Sequence, residues 1–445
     1  MDRKVFDCNV LGMRNKYSLP GVICMQGINK IEITVVVLLT VVARFSAALI
    51  TGGLFHPDVY EHEQLANNIL NGKGYVGILD GDIYSSMMYP LYPYLNAGIY
   101  YITGHSQPAM ISVQIIISCF SSILVVLIGR DLMKSPAPFV AGIIASLHPG
   151  LIVYSTNKIH EVNLVILFVL LSVFLVFHIS NNFSYKKVLC ISFLFAAAIY
   201  TRVVMAFFPL LLLIVIPGNV RRRINTLLLL IIFCFSFVLL WNYRNYRIHG
   251  MFVFSTMNAY NFYMGNNVDA IGTEYTKENK SIRSVIQEKE KEMSMPSMDE
   301  SQRYVYYKER ATAFIVEDPV RFVQLTFKRI YYFWWFSPHT GIEYPKYYFQ
   351  VFKYFYICLL VFAFIGISDP CLYSTKNKKN LLFIILLTVV VISLTQSLVY
   401  VHYRHRASIE LLMVLFSANG FSRILRWLQV DLLKDREKNN SRTAI

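Results

Sequence analysis

The sequence predicts an all-α polytopic membrane protein, and three observations lead there. Its 445 residues are 55% hydrophobic and only 16% charged, with a mean hydropathy of +0.46, outside the range of soluble globular chains. Apolar stretches approaching the roughly 20 residues that cross a bilayer recur along the chain. The basic residues fall in short clusters between those stretches, as expected of loops retained in the cytoplasm. That last pattern also argues against nucleic acid as a partner. The net charge of +15, from 42 Lys and Arg against 27 Asp and Glu, is dispersed among loops rather than gathered into one stripe.

About ten transmembrane helices are expected, over 31–52, 108–129, 137–157, 161–180, 188–201, 203–217, 224–241, 351–368, 380–402 and 407–427. The segment from Pro90 to Gly104 is apolar but short and bracketed by Pro and Gly. Charge decides its place. If it does not cross, Arg130, Lys134, Lys186, Lys187, Arg221 to Arg223, Lys376, Lys378, Lys379 and the tail from Arg423 share the side of the basic N-terminus. It is therefore read as an interfacial helix.

The resulting layout has a cytoplasmic segment 1–30, a membrane domain 31–427 and a cytoplasmic tail 428–445, with both termini inside. External loops cover 53–107 and 242–350, with a short turn at 402–406. The long loop is expected to hold short amphipathic helices, with 304–336 on the membrane surface. Residues 1–30 contain Arg3, Lys4, Arg14 and Lys16 but no apolar core ahead of a small-residue cleavage site, so the first helix is expected to stay inserted. The seven cysteines lie in expected spans or basic segments and imply no disulfide framework or zinc site.

Chemistry concentrates on the external side. Asp58, Glu61 and Glu63 follow the first span within the stretch Phe55 to Glu63, and a carboxylate held there suits a general base that deprotonates an acceptor. The competing reading is a helix cap, with Asp58 ahead of the helix and Glu61 in its first turn. Asp80-Gly81-Asp82 has the spacing of a weak metal-binding pair, although Gly between acids more often marks a turn. No metal or other cofactor is required by the sequence. Glu161 opens a span at the outer edge, where a carboxylate also suits the helix dipole. Arg202 separates two short apolar runs and needs a partner or a polar cavity. Arg244, Arg247, Arg404, His405 and Arg406 add positive charge on the face that the positive-inside bias depletes. Guanidinium groups grip phosphate oxygens, so the cluster points to an anionic headgroup.

Taken in order, the stretch Asp58 to Tyr75, Pro90 to Pro93, His148 to Ser155 with Glu161, Thr201-Arg202, Trp241 to Gly250, Ser255-Thr256 with Gly265 to Asn267, and Tyr403 to Arg406 resemble the GT-C superfamily of integral-membrane glycosyltransferases. The resemblance is to the bacterial branch related to protein O-mannosyltransferases and the lipid A aminoarabinose transferase. One departure is Val59 directly after Asp58, where many members carry a second acid.

The resemblance implies a GT-C-type fold with a catalytic first external loop and a donor sugar carried on a polyprenyl phosphate. It maps catalytic acids onto Asp58 and Glu161. Beside it, the pattern of charges implies donor-phosphate contacts from Arg202, Arg244, Arg404 and Arg406, and Glu61, Tyr92, His148 and Asn266 are candidate substrate-pocket residues. The acceptor would be a lipid, a glycan or a protein. The expected location is a bacterial inner membrane with the site facing the periplasm or exterior. Two other classes stay open: a polysaccharide ligase or polymerase, and a lipid-linked sugar flippase. A flippase would show repeats and broken helices, and the sequence gives no sign of either.

Overall fold

The computed structural model describes residues 29–292, 298–337 and 346–443. Helix α1 (Lys30–Ile50) starts where the Asn29 side chain accepts from the Ile31 N–H. Val36, Thr40, Arg44 and Ala48, four apart, form its buried stripe, while Leu38, Val42, Phe45 and Leu49 face outward. The connection that follows holds α2 (Glu61–Leu70), an antiparallel hairpin of β1 (Gly77–Leu79) and β2 (Asp82–Tyr84), and α3 (Leu91–Thr103). With 13 residues, α3 is about 20 Å long, short of the roughly 30 Å hydrocarbon core, in keeping with an interfacial helix.

Next come α4 (Gln107–Leu132), the pair α5 (Ala137–Ser146) and α6 (Pro149–Thr156), α7 (Val162–Asn181) and α8 (Tyr185–Thr201). A 3-10 turn, Val203–Ala206, leads to α9 (Phe207–Val215). Helix α10 (Val220–Leu230) continues through a π turn into α11 (Ser236–His249), so this span reaches eight residues beyond the expected boundary at 241. The long loop folds into α12 (Met257–Gly265), α13 (Ile282–Glu292), α14 (Glu300–Glu317) and α15 (Pro319–Trp334). Helices α16 (Lys346–Ile367), α17 (Lys376–Gln396) and α18 (Tyr403–Thr443) complete the chain.

Among the described residues, seven helices are long and apolar enough to cross a membrane, or eight if α5 and α6 form one span. The runs expected at 188–201 and 203–217 are shorter helices that meet at Arg202. The α5/α6 pair is bent by 46°, as in a broken span or a re-entrant loop, where the sequence reading expected one continuous run. Pro149 is the cause, since it has no N–H to continue the helix. Both freed ends are satisfied: Arg44 Nη1 donates to the Ser146 carbonyl at 2.6 Å, and His148 Nδ1 accepts from the Leu151 N–H at 3.4 Å.

The core lies where α4, α5, α7 and α18 meet, with α16 closing over α18. Gly366 and Gly420 set that last approach. A Cβ at Gly366 would overlap the Phe416 carbonyl, and one at Gly420 the Phe362 carbonyl. Small residues let membrane helices approach this closely.

Candidate active site

The loop that follows α1 is seated on the end of α6. A Cβ at Gly53 would overlap the Thr156 carbonyl, so only glycine fits the contact. Further along, the Asp58 N–H donates to Asn157 O at 2.7 Å and the Ile159 N–H donates to Asp58 O at 2.9 Å, a parallel bridge. The Asp58 backbone is thereby fixed, while its side chain is exposed and makes no hydrogen bond or ion pair among the described residues. The capping alternative fails, because α2 begins at Glu61 behind Tyr60 and has no side-chain cap.

The turn that carries Glu161 is held from below by Gln114 of α4. Its Nε2 donates to Lys158 O at 2.9 Å, and its Oε1 accepts from the Tyr92 hydroxyl at 3.0 Å and from Asn163 Nδ2 at 3.3 Å. Glu161 stands at the N-terminus of α7, buried, with three partners from three places in the chain. Oε2 lies 2.7 Å from His62 Nε2 and 2.9 Å from His160 Nδ1, and Oε1 accepts from Arg202 Nη2 at 3.1 Å. Burial alone would push the Glu161 carboxyl up, but the contacts with His160 and His62 outweigh it and hold the group well below the usual carboxylate range. Burial pushes His160 down to about 4, with Glu161 pulling the other way and Arg404 adding to the depression. The centre is therefore an anionic carboxylate between imidazoles.

Arg202 occupies the break between α8 and the 3-10 turn, with extended backbone. Its side chain keeps 16% exposure. Tyr89 lies within its field and donates to Asn258 Oδ1 at 2.9 Å; burial pushes the phenol up to about 12. Arg404, in the first turn of α18, donates to the Tyr400 hydroxyl at 3.1 Å. His402 beside it faces Glu274 at 3.8 Å, and a bridge between Thr273 and Val401 stitches the long loop to this corner. Glu161 thus pairs with Arg202 and lies in the field of Arg404, while the Asp58 backbone is bridged to Lys158, three residues before Glu161.

Other expected site residues lie elsewhere. Arg244 donates to Ser85 O and to the Ser86 hydroxyl, under the rings of Trp241 and Tyr75. Arg406 is buried, paired with Glu410 at 2.7 Å and covered by the Tyr356 ring at 3.7 Å. His148 lies 3.2 Å from the same Glu410. Asn266 is buried, donating to Phe262 O and Leu398 O and accepting from Arg329. Glu61 lies 4.0 Å from Arg283, and Tyr92 packs edge-on against His62.

Asp80 and Asp82, the weak metal candidates, both have arginine partners. Asp80 takes two hydrogen bonds from Arg283, Asp82 pairs with Arg303, and Asp80-Gly81 forms the hairpin turn with φ of 58° and 91°. Among the described residues no group of three His, Cys, Asp or Glu is placed to hold a metal ion. Sequence reasoning missed His62, His160, Lys158 and Gln114. Lys158, buried, donates to the Tyr60 hydroxyl at 2.8 Å. The adjacency of His160 to Glu161 was the one local signal.

The chain is helical, with several helices long and apolar enough to cross a membrane, and it holds a buried carboxylate against an arginine at a helix break. Residues 88–241 match the family model described as dolichyl-phosphate-mannose-protein mannosyltransferase. The matched segment contains Gln114, Glu161 and Arg202, and leaves Asp58 and Arg404 outside it. No curated protein matches the chain. Among solved structures, the archaeal oligosaccharyltransferase AglB from Archaeoglobus fulgidus, in complex with an inhibitory peptide and a dolichol-phosphate, aligns with a TM-score of 0.49 at 9% identity. The alignment covers 91% of this chain and 51% of that one, so this chain spans about half the length of that protein.

Proposed function

We propose that this protein transfers a sugar from a polyprenyl-phosphate-linked donor to a lipid, glycan or protein acceptor on the external face of the membrane. The family match carries the reading, because the segment it covers contains both members of the Glu161–Arg202 ion pair. Asp58 is the general base. As the acceptor oxygen or nitrogen bonds to the anomeric carbon, the bond from that carbon to the phosphate oxygen breaks and the acceptor proton passes to Asp58. A single displacement of this kind inverts the anomeric centre. Polyprenyl phosphate leaves with an added negative charge, which Arg202 and Arg404 stabilise where it develops.

Glu161, with its oxygens already engaged by Arg202, His62 and His160, serves to hold Arg202 rather than to move protons. Arg244 and Arg406 are structural in this account, since backbone, carboxylate and aromatic partners already occupy them. The broken span is the feature a flippase would share. Its two ends are capped by Arg44 and His148, so neither is open to a substrate.

The test is donor class. Protein reconstituted in liposomes is given a radiolabelled sugar on polyprenyl monophosphate or on polyprenyl diphosphate. Consumption of the monophosphate donor with release of polyprenyl phosphate is expected. Consumption of the diphosphate donor alone would identify a ligase, and movement of intact donor across the bilayer a flippase.

A further inference from the structure

Glu161 divides its two oxygens: one faces Arg202 and the other faces two imidazoles. One of those imidazoles, His62, belongs to the first external loop, four residues beyond Asp58 and on the first turn of α2. We propose that His62 is a positioning residue for the donor phosphate, aiming Arg202 through Glu161 and tying that arginine to the loop that carries Asp58. The inference rests on the function proposed above and adds to it how the base and the phosphate site are kept in register.

The geometry leaves His62 little other work. At 2.7 Å from an ionised carboxylate oxygen, Nε2 is the nitrogen that carries the proton. Nδ1 is buried without a hydrogen-bond partner among the described residues. The ring makes edge contacts with Tyr92 at 5.1 Å and His160 at 5.8 Å between centroids. Tyr92 bonds onward to Gln114, which holds the turn before Glu161. Glu161 therefore has its backbone fixed from α4 and its carboxylate fixed from α2. With Oε2 held by the imidazoles, Oε1 is left to Arg202, whose remaining N–H groups are available for an incoming phosphate. Without His62, Oε2 keeps only His160 of its two imidazoles, and the aim of the carboxylate and of the arginine on it loosens.

Packing and hydrogen bonding make opposite forecasts for two substitutions. His62→Phe keeps the ring and removes the donor. His62→Gln removes the ring and keeps an amide N–H at the place of Nε2, whereas His62→Asn falls short of it. The experiment measures donor and acceptor KM and kcat in liposomes, together with binding of polyprenyl phosphate by native mass spectrometry. His62→Phe should raise the donor KM about tenfold, the loss of one charge-assisted hydrogen bond, and leave the acceptor KM unchanged. His62→Gln should stay near wild type. In an Arg202→Ala background the effect of His62→Phe should vanish. A normal His62→Phe beside an impaired His62→Gln would overturn the proposal, as would an undiminished effect without Arg202. If His62→Phe does not fold, the Gln and Asn variants decide: a functional Gln with an impaired Asn supports it, and equal behaviour refutes it. A wild type that neither consumes the donor nor binds polyprenyl phosphate would fail before any variant is compared, and would remove the functional reading and this inference together.

Discussion

Two clusters in this protein use the same three residue types to opposite ends. In one, Glu161 meets Arg202, His62 and His160; in the other, Glu410 meets Arg406 and His148. The first is assembled from a loop helix, an interhelical turn and a helix break, and its arginine keeps 16% side-chain exposure. The second is assembled mainly within the helix core, and its arginine keeps 1% beneath the rings of Tyr356, Phe336 and Phe352. An arginine sealed under aromatic rings stabilises helix packing. An arginine at a chain break that keeps part of its side chain exposed can bind a ligand. Arg404 and Arg406 make the point on a single helix: two residues apart at about 100° each, they face nearly opposite sides.

The contrast yields graded expectations. The largest concern the open cluster, where Arg202→Ala or Arg404→Ala should lower turnover of a polyprenyl-monophosphate donor by about 10²- to 10³-fold with thermal stability nearly unchanged. Glu410→Ala in the sealed cluster should do the reverse, costing about 3–5 kcal/mol of stability in detergent because it strands Arg406 as a buried, unpaired charge, while molecules that remain folded transfer sugar at a normal rate. A stable Glu410→Ala protein with a collapsed rate would exchange the roles assigned to the two clusters.

Acid should strike the open cluster first. Burial places His160 at about 4 in the folded protein against an ordinary value of 6.5, and Glu161 is likewise depressed. Between those pH values the folded protein binds fewer protons than the unfolded chain, so the stabilisation is present above pH 6.5 and is lost as the pH falls toward 4. Thermal unfolding of the wild type across that range should show the decline, and His160→Gln should flatten it. The smallest effect is expected at the hairpin. Asp82→Asn, or treatment with a chelator, should change the rate by less than about twofold, because Asp82 sits in a part-exposed ion pair with Arg303 in the hairpin, away from Glu161 and Arg202.

The architecture was largely legible, since apolar length and loop charge are local properties of the sequence. Arg202 was legible for the same reason: a charge between two short apolar runs requires an explanation in any fold. The partners of Glu161 were not. His62 and Gln114 reach it or its turn from 99 and 44 residues away, distances at which no spacing rule operates. Arg406 was misplaced because the chain was read as a turn through 402–406, whereas α18 already begins at Tyr403 and rotates Arg406 into the core. The bend at Pro149 had a visible cause, yet its capping by Arg44 depends on a contact 102 residues apart.

The central claim is that the exposed, unpaired Asp58 carboxylate deprotonates the acceptor beside the arginine site. Single-turnover consumption of a polyprenyl-monophosphate sugar by wild type and Asp58→Asn, both reconstituted in liposomes and matched for folded protein, tests it most directly. The account predicts that Asp58→Asn is slower by about 10²- to 10⁴-fold while still binding the donor. Transfer by Asp58→Asn at the wild-type rate would contradict it.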